Sequence, residues 1–140
     1  MSIVVPDASV ILKWVLPMED EPHRDRALVL RDQFINEKIE LWVPALWRYE
    51  VGNTLARKYP NQALAHLQFM QMLGMHEPSH DDRWLDKTLA IATRYKVAFY
   101  DAAYHAVAIN AEGMLVTADE RYLKAVGAAD AICHIADWRA

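Results

Sequence analysis

The sequence predicts a three-layer α/β/α sandwich around a mostly parallel central sheet of four to five short strands. Short apolar runs alternate with longer segments of helical periodicity, the order that lays helices on both faces of a parallel sheet. Acids follow two of those runs, Asp7 after the first and Asp119 after a late one, and sheets of this kind gather ligands beyond the carboxyl ends of their strands. With 54% hydrophobic residues and only four Gly and six Pro among 140, the chain is expected to form one domain, residues 1–140, around a single core.

Ser2 to Val5 is a β-branched run fit for a buried parallel strand, and Pro6, which has no N–H to donate, belongs at its last position. Ala8 to Leu16 continues as a helix with Ser9 in its first turn, until Pro17 stops it. Met18 to His23 is an acid-rich loop, followed by an amphipathic helix from Arg24 to Glu37 with Ala27, Leu30 and Phe34 inward. Leu41 to Val43 reads as a second strand. In the helix expected over Ala45 to Lys58, Trp47, Val51 and Leu55 share one side, while Glu50, Asn53, Thr54 and Arg57 share another.

The segment Asn61 to Leu73 is apolar around more than one face, so one side suits the core and the other a dimer or partner contact. Met75 to Ser79 reads as extended edge chain, and Asp81 to Tyr95 as a helix with Leu85, Leu89 and Ala92 inward and Ser79 or Asp81 as its cap. Phe99 to Asp119 then supplies a buried helix of small residues and a strand, Met114 to Thr117. A helix over Glu120 to Val126 ends at Gly127, and Ala131 to Ile135 is the last strand.

A formal charge of −4 offers little bulk attraction for nucleic acid, although an acidic site holding divalent cations binds phosphates through those ions. The longest apolar runs are too short to cross a bilayer and the first residues lack a basic start, so a cytoplasmic protein is expected. The lone Cys133 suits a reducing compartment and reads as core.

Four acids stand out by position: Asp7 after the first strand, Glu50 on a helix beside apolar residues, Asp101 at a helix start and Asp119 at a strand end. Each has an ordinary reading, since Asp101 and Asp119 could simply cap their helices. Together they suggest a metal site. Crowded carboxylates repel unless protonated or bridged by cations, and oxygen ligands without a His or Cys cluster favour Mg²⁺ or Mn²⁺ over Zn²⁺. The implied chemistry is displacement at phosphorus.

The segments VVPDASV, PALWRYEVGN, YDAAYHAVA and LVTADERYL, in this order and spacing, resemble the acidic motifs of PIN-domain proteins, particularly the VapC-like ribonuclease toxins of type II toxin–antitoxin systems. The resemblance covers essentially the whole chain. It implies a PIN-like fold and a metal-dependent endoribonuclease that cleaves RNA phosphodiester bonds with metal-activated water. It further implies that Asp7, Glu50, Asp101 and Asp119 hold Mg²⁺ or Mn²⁺, with Ser9 and Thr117 as polar supports. A homodimer and a small cognate antitoxin inserted into the active-site groove belong to the same expectation. Pro6, where a β-branched strand residue is usual, and Glu120, an extra acid beside Asp119, depart from the pattern.

Two other readings compete. A receiver-type phosphoryl-accepting domain also sets acids at strand ends with Mg²⁺, but it needs a Lys after a strand, a place that neither Lys96 nor Lys124 fills. A non-catalytic antitoxin-binding partner would keep the fold without turnover. Lys13, Arg48, Arg57 and Arg121 lie near the acids and are candidates for backbone contacts with RNA, with plain surface charge the better reading of each. Tyr100 and Tyr104 are expected in the core, and His105 as a satisfied structural histidine.

Overall fold

The computed structural model describes residues 1–17 and 21–139. The loop expected at Met18 to His23 lies partly outside the described residues. Four strands, β1 (Ser2–Pro6), β2 (Ile39–Leu41), β3 (Met114–Thr117) and β4 (Ile132–His134), form one sheet in the order β2-β1-β3-β4, and every pairing is parallel. Parallel neighbours require crossovers. These are supplied by α1 (Ala8–Leu12) and α2 (Arg24–Ile35) between β1 and β2, by α3 (Trp47–Lys58), α4 (Ala63–Met72), α5 (Asp82–Tyr95) and α6 (Phe99–Asn110) between β2 and β3, and by α7 (Glu120–Val126) before β4.

β1 is central, so Val4 and Val5 are buried, and Pro6 holds the last position of the strand as its chemistry demands. The ladder resumes one residue later, where the Asp7 N–H donates to the Val116 carbonyl at 3.2 Å. β3 runs close to β1 at its start as well. Val4 pairs with Met114, and a Cβ placed on Gly113 would lie 2.6 Å from the Ile3 carbonyl oxygen. Gly113→Ala is therefore expected to force β1 and β3 apart and cost about 1–3 kcal/mol, readable as a lowered urea midpoint.

Several elements depart from the sequence expectation for local reasons. Only Ala8–Leu12 is α-helical in the first helix; Lys13, Trp14 and Val15 donate to the carbonyls three residues back, which winds the chain more tightly up to Leu16. β2 ends at Leu41, and beyond it Trp42 makes a single bridge with His76, all that remains of the extended edge expected at Met75 to Ser79. The inward face of α5 is Trp84, Thr88 and Ile91, with Ala92 packed against the core as expected, whereas Leu85 and Leu89 are 39% and 55% exposed. A stripe chosen by apolar identity passes over Thr88, whose hydroxyl is satisfied by the Trp84 carbonyl at 2.7 Å and is therefore inexpensive to bury. Trp84 in turn donates its indole N–H to the Ala103 carbonyl, pinning α5 to α6. Asp81 caps α5 as expected, accepting from the Trp84 N–H at 2.9 Å.

α6 is the most enclosed helix. Residues 102 through 108 are all buried, and Ala102, Ala103, Ala106 and Ala108 keep its surface thin where it lies between α5 and strands β1 and β3. On α4, Met70 is buried while Leu64 and Met72 are 69% and 85% exposed, so the second apolar face points away from the core. No helix among the described residues is long and apolar enough to cross a membrane.

Candidate functional site

The strand order turns outward on either side of the β1–β3 pair, and Asp7 stands just past the carboxyl end of β1 at that point. Asp7 is also the N-cap of α1: its Oδ1 accepts from the Val10 N–H at 3.3 Å and from the Ser9 hydroxyl at 2.5 Å, and its Oδ2 accepts from the Thr117 hydroxyl at 2.5 Å. Each hydroxyl also accepts. The Ala118 N–H donates to Ser9 Oγ and the Asp119 N–H to Thr117 Oγ1, both at 2.9 Å. Two hydroxyls thus lock the end of β1 to the end of β3 and fix the Asp7 carboxylate between them.

Asp119 caps α7, its Oδ1 accepting from the Tyr122 N–H at 3.1 Å, so the ordinary reading of this acid holds while its carboxylate still opens on the site. Asp101 differs. It sits in the first turn of α6, whose N-cap is Ala98, and makes no capping hydrogen bond. Asp101 and Asp119 line one cleft of about 360 Å³ together with Lys96 and Arg121. Glu50 lines a second cleft of about 460 Å³ with Tyr49, Asn53 and Thr54, and Tyr100 belongs to both clefts.

The four carboxylates sense one another. Burial pushes the Asp7 pKa up to about 6 against the hydrogen bonds from Ser9 and Thr117, and the Asp119 charge adds to the rise. Burial likewise raises Glu50, with the charges of Asp101 and Asp7 contributing. Asp101 is raised by burial and then by Asp119, with Arg121 opposing. Beside Glu50 stands Tyr104; the Tyr104 hydroxyl and Glu50 Oε1 are both buried, and the hydroxyl, as a donor to the carboxylate, opposes the rise of the Glu50 pKa. A half-buried carboxylate with a single side-chain donor is still costly to ionise, and a cation would relieve it.

Among the described residues no three Asp, Glu, His or Cys side chains converge on one point that an ion would occupy. The donors fit a sparse hydrated ion better than a closed cage. Mg²⁺ commonly keeps several waters and takes only one or two carboxylates, and an oxygen-only set with Asp7, Glu50 and Asp101 all raised by burial suits that mode.

The basic and aromatic neighbours sort differently from the sequence reading. Lys13 is buried, bonded to Glu21 Oε2 at 2.8 Å and the Pro22 carbonyl at 2.7 Å. Arg48 pairs with Glu77 at 2.7 Å and with Gln71, and lies over the Trp47 ring. Both are internal ties. Arg57 is exposed on α3 one turn beyond Asn53 and Thr54 and lines neither cleft, and Arg121 alone of the four candidate cations lines the cleft of Asp101, joined there by Lys96. Tyr104 is core, as expected, but Tyr100 is 55% exposed, because position 100 falls on the side of the first turn of α6 that faces the cleft. Tyr49 is 80% exposed on the same cleft, where its sequence context presents it only as an apolar neighbour of Glu50; its spacing opposite the buried Trp47, Val51 and Leu55 is the signal that reveals it.

His105 is fully buried, with Nδ1 against the Tyr122 hydroxyl and Nε2 against the Asp130 carbonyl, both at 2.8 Å, and touches no site carboxylate. A carbonyl only accepts, so Nε2 carries the hydrogen and Nδ1 accepts from Tyr122, the neutral form that burial also favours by lowering the His105 pKa. Glu120 is exposed, 4.0 Å from His134 Nε2. Cys133 lies in β4, half-buried, with its thiol pushed up by burial, which fits the inert reading.

Fold and site together define a parallel α/β/α domain with an acidic cleft at the switch point of its sheet. The chain belongs to the PIN domain family, whose model matches residues 4–128. Its fold is similar to that of PAE2754 from Pyrobaculum aerophilum, at 23% identity and a TM-score of 0.66 over 96% of this chain and 92% of the other. It is also similar to a toxin–antitoxin complex from Klebsiella pneumoniae, at 15% identity and a TM-score of 0.66 over 94% and 97%. VapBC2 from Rickettsia felis, solved bound to a DNA fragment from their promoter, matches at 12% identity with a TM-score of 0.69 over 98% and 99%. No curated protein sequence matches the chain.

Proposed function

We propose that the protein is a Mg²⁺- or Mn²⁺-dependent endoribonuclease acting as the toxin of a toxin–antitoxin pair. The observation that carries the reading is a set of four carboxylates at the switch point, three of them with raised pKa, lacking a cationic partner of their own number. Membership of the PIN family supports nuclease chemistry, and the likeness to toxin–antitoxin assemblies supports a small cognate antitoxin; a homodimer in the cytoplasm is part of the same proposal.

Asp7, Asp101 and Asp119, with Glu50, would hold the metal. When bound, the ion lowers the pKa of water and neutralises charge developing at phosphorus. Ser9 and Val10 occupy Oδ1 and Thr117 one side of Oδ2, which holds Asp7 in one orientation and leaves Oδ2 a lone pair for a further partner. Arg121 stands beside Asp101 and supplies a cation for a non-reacting phosphate oxygen. The receiver-type alternative still lacks its Lys after a strand: Lys96 faces the same cleft but from the C-cap of α5.

The test is cleavage of a single-stranded RNA by antitoxin-free protein with Mg²⁺ or Mn²⁺ and again with a chelator. Cleavage is expected only with the cation. Equal cleavage in the chelator, or undiminished cleavage by both Asp7→Asn and Asp101→Asn, would overturn the proposal.

A further inference from the structure

We infer that Tyr49 and Tyr100 are base-stacking residues that seat single-stranded RNA across the acidic clefts and carry a larger share of its affinity than phosphate contacts do. This rests on the nuclease reading above. Tyr49 comes from α3 and Tyr100 from α6, so nothing in local sequence forces the two rings onto one cleft. They line it with Glu50, and Tyr100 continues into the neighbouring cleft of Asp101 and Asp119. At 80% and 55% exposed, neither ring fills the core, where Trp47 and Tyr104 from the same two helices already do so. Single exposed aromatics are common; two converging on a carboxylate site are not explained by surface chance.

Electrostatics strengthens the case by subtraction. The chain carries −4 and the two clefts are lined by three carboxylates, Glu50, Asp101 and Asp119, so a polyanion is repelled until cations intervene. Lys13 and Arg48 are engaged in internal bonds, which leaves Lys96 and Arg121 as the cations lining the cleft of Asp101. Two phosphate contacts on a single strand give a slope of log K against log salt of only about −1.4, too shallow for tight binding by charge alone. Stacking supplies what charge does not, because every base has a π face whatever the sequence, and a stacked base is worth about 1–3 kcal/mol.

The experiment measures equilibrium binding of a fluorescently labelled single-stranded oligoribonucleotide to the full chain in Ca²⁺, with 2-aminopurine walked along the strand as a stacking reporter. Tyr49→Ala and Tyr100→Ala are each expected to weaken binding about tenfold and to restore fluorescence at one 2-aminopurine position. Tyr49→Phe and Tyr100→Phe, which keep the ring, are expected to bind like the parent, and the salt slope should be no steeper than about −2 in all of them. Parent-like binding by both Ala variants, with circular dichroism showing them folded, overturns the inference, leaves the nuclease reading standing and assigns the rim to a protein partner. A steep salt slope together with Phe variants as weak as Ala also overturns it, in favour of phosphate contacts and tyrosine hydroxyls. Absence of any RNA binding by the parent overturns both readings.

Discussion

Asp7→Asn is expected to lower RNA cleavage at least about a hundredfold while making the protein more stable at neutral pH. On the proposed function, the loss follows from removing one of the carboxylates that would hold the metal. The gain follows from linkage. The Asp7 pKa is raised to about 6 in the folded protein against 3.8 for a freely solvated aspartate, so between those values the folded state binds more protons than the unfolded one. Its effect on stability is absent below the lower value, and stability is lost as pH rises through the upper one. Full burial of the charge would set that loss at about 3 kcal/mol; Asp7 keeps some contact with solvent, so about 2 kcal/mol is the better expectation.

Neutralising the side chain removes the loss. The stability gap between Asp7→Asn and the parent should therefore be near zero at pH 4 and grow to about 2 kcal/mol by pH 7.5, measured by urea unfolding across that range. Saturating Mg²⁺ should narrow it by favouring the charged form in the parent. A variant less stable than the parent at pH 7.5 would mean that the hydroxyl bonds to the carboxylate outweigh its desolvation.

The second large effect is expected at the helix that carries Asp101. Ala106 is fully buried on α6, in the run where seven consecutive residues are enclosed. Ala106→Leu adds three carbons where close packing leaves no room, and about 3 kcal/mol or more is expected to be lost, a large part of the stability of a domain this size. Ala106→Gly, which adds no volume, should cost only about 1 kcal/mol through helix propensity. Thermal midpoints of the pair separate the two causes. If both lower the midpoint equally, packing against the sheet is not what selects small residues here.

The parts of the fold legible in the sequence are those where one physical signal acts alone. β3 and α7 fall at the expected residues because an apolar run, an acid and a glycine mark their limits without competition. α5 shows the opposite case: a satisfied Thr88 turns the helix, and no count of apolar residues could reveal that its hydroxyl would find the Trp84 carbonyl. β2 lies toward the N-terminal side of its expected span because its register is set by pairing with Ser2, Ile3 and Val4, a long-range contact.

The site is legible as a set of acids at element boundaries. Its surroundings are not. Lys13 and Arg48 read as surface charge with a candidate RNA contact, and only the fold reveals Glu21, Pro22, Glu77 and Gln71 holding them, while Tyr100 reads as core until the phase of α6 is known. Residue type announces charge, whereas engagement of that charge depends on partners far away in the chain.

The hydroxyl lock between Asp7 and Thr117 joins groups 110 positions apart, and β1 pairs on one side with a strand formed near the end of the chain. During synthesis the amino-terminal acid must wait without its carboxyl-terminal partner until Asp119 has emerged. A site assembled so late in translation is unfinished on a nascent chain, so if the proposed nuclease activity holds, RNA at the ribosome meets no complete cleft before the domain is nearly made.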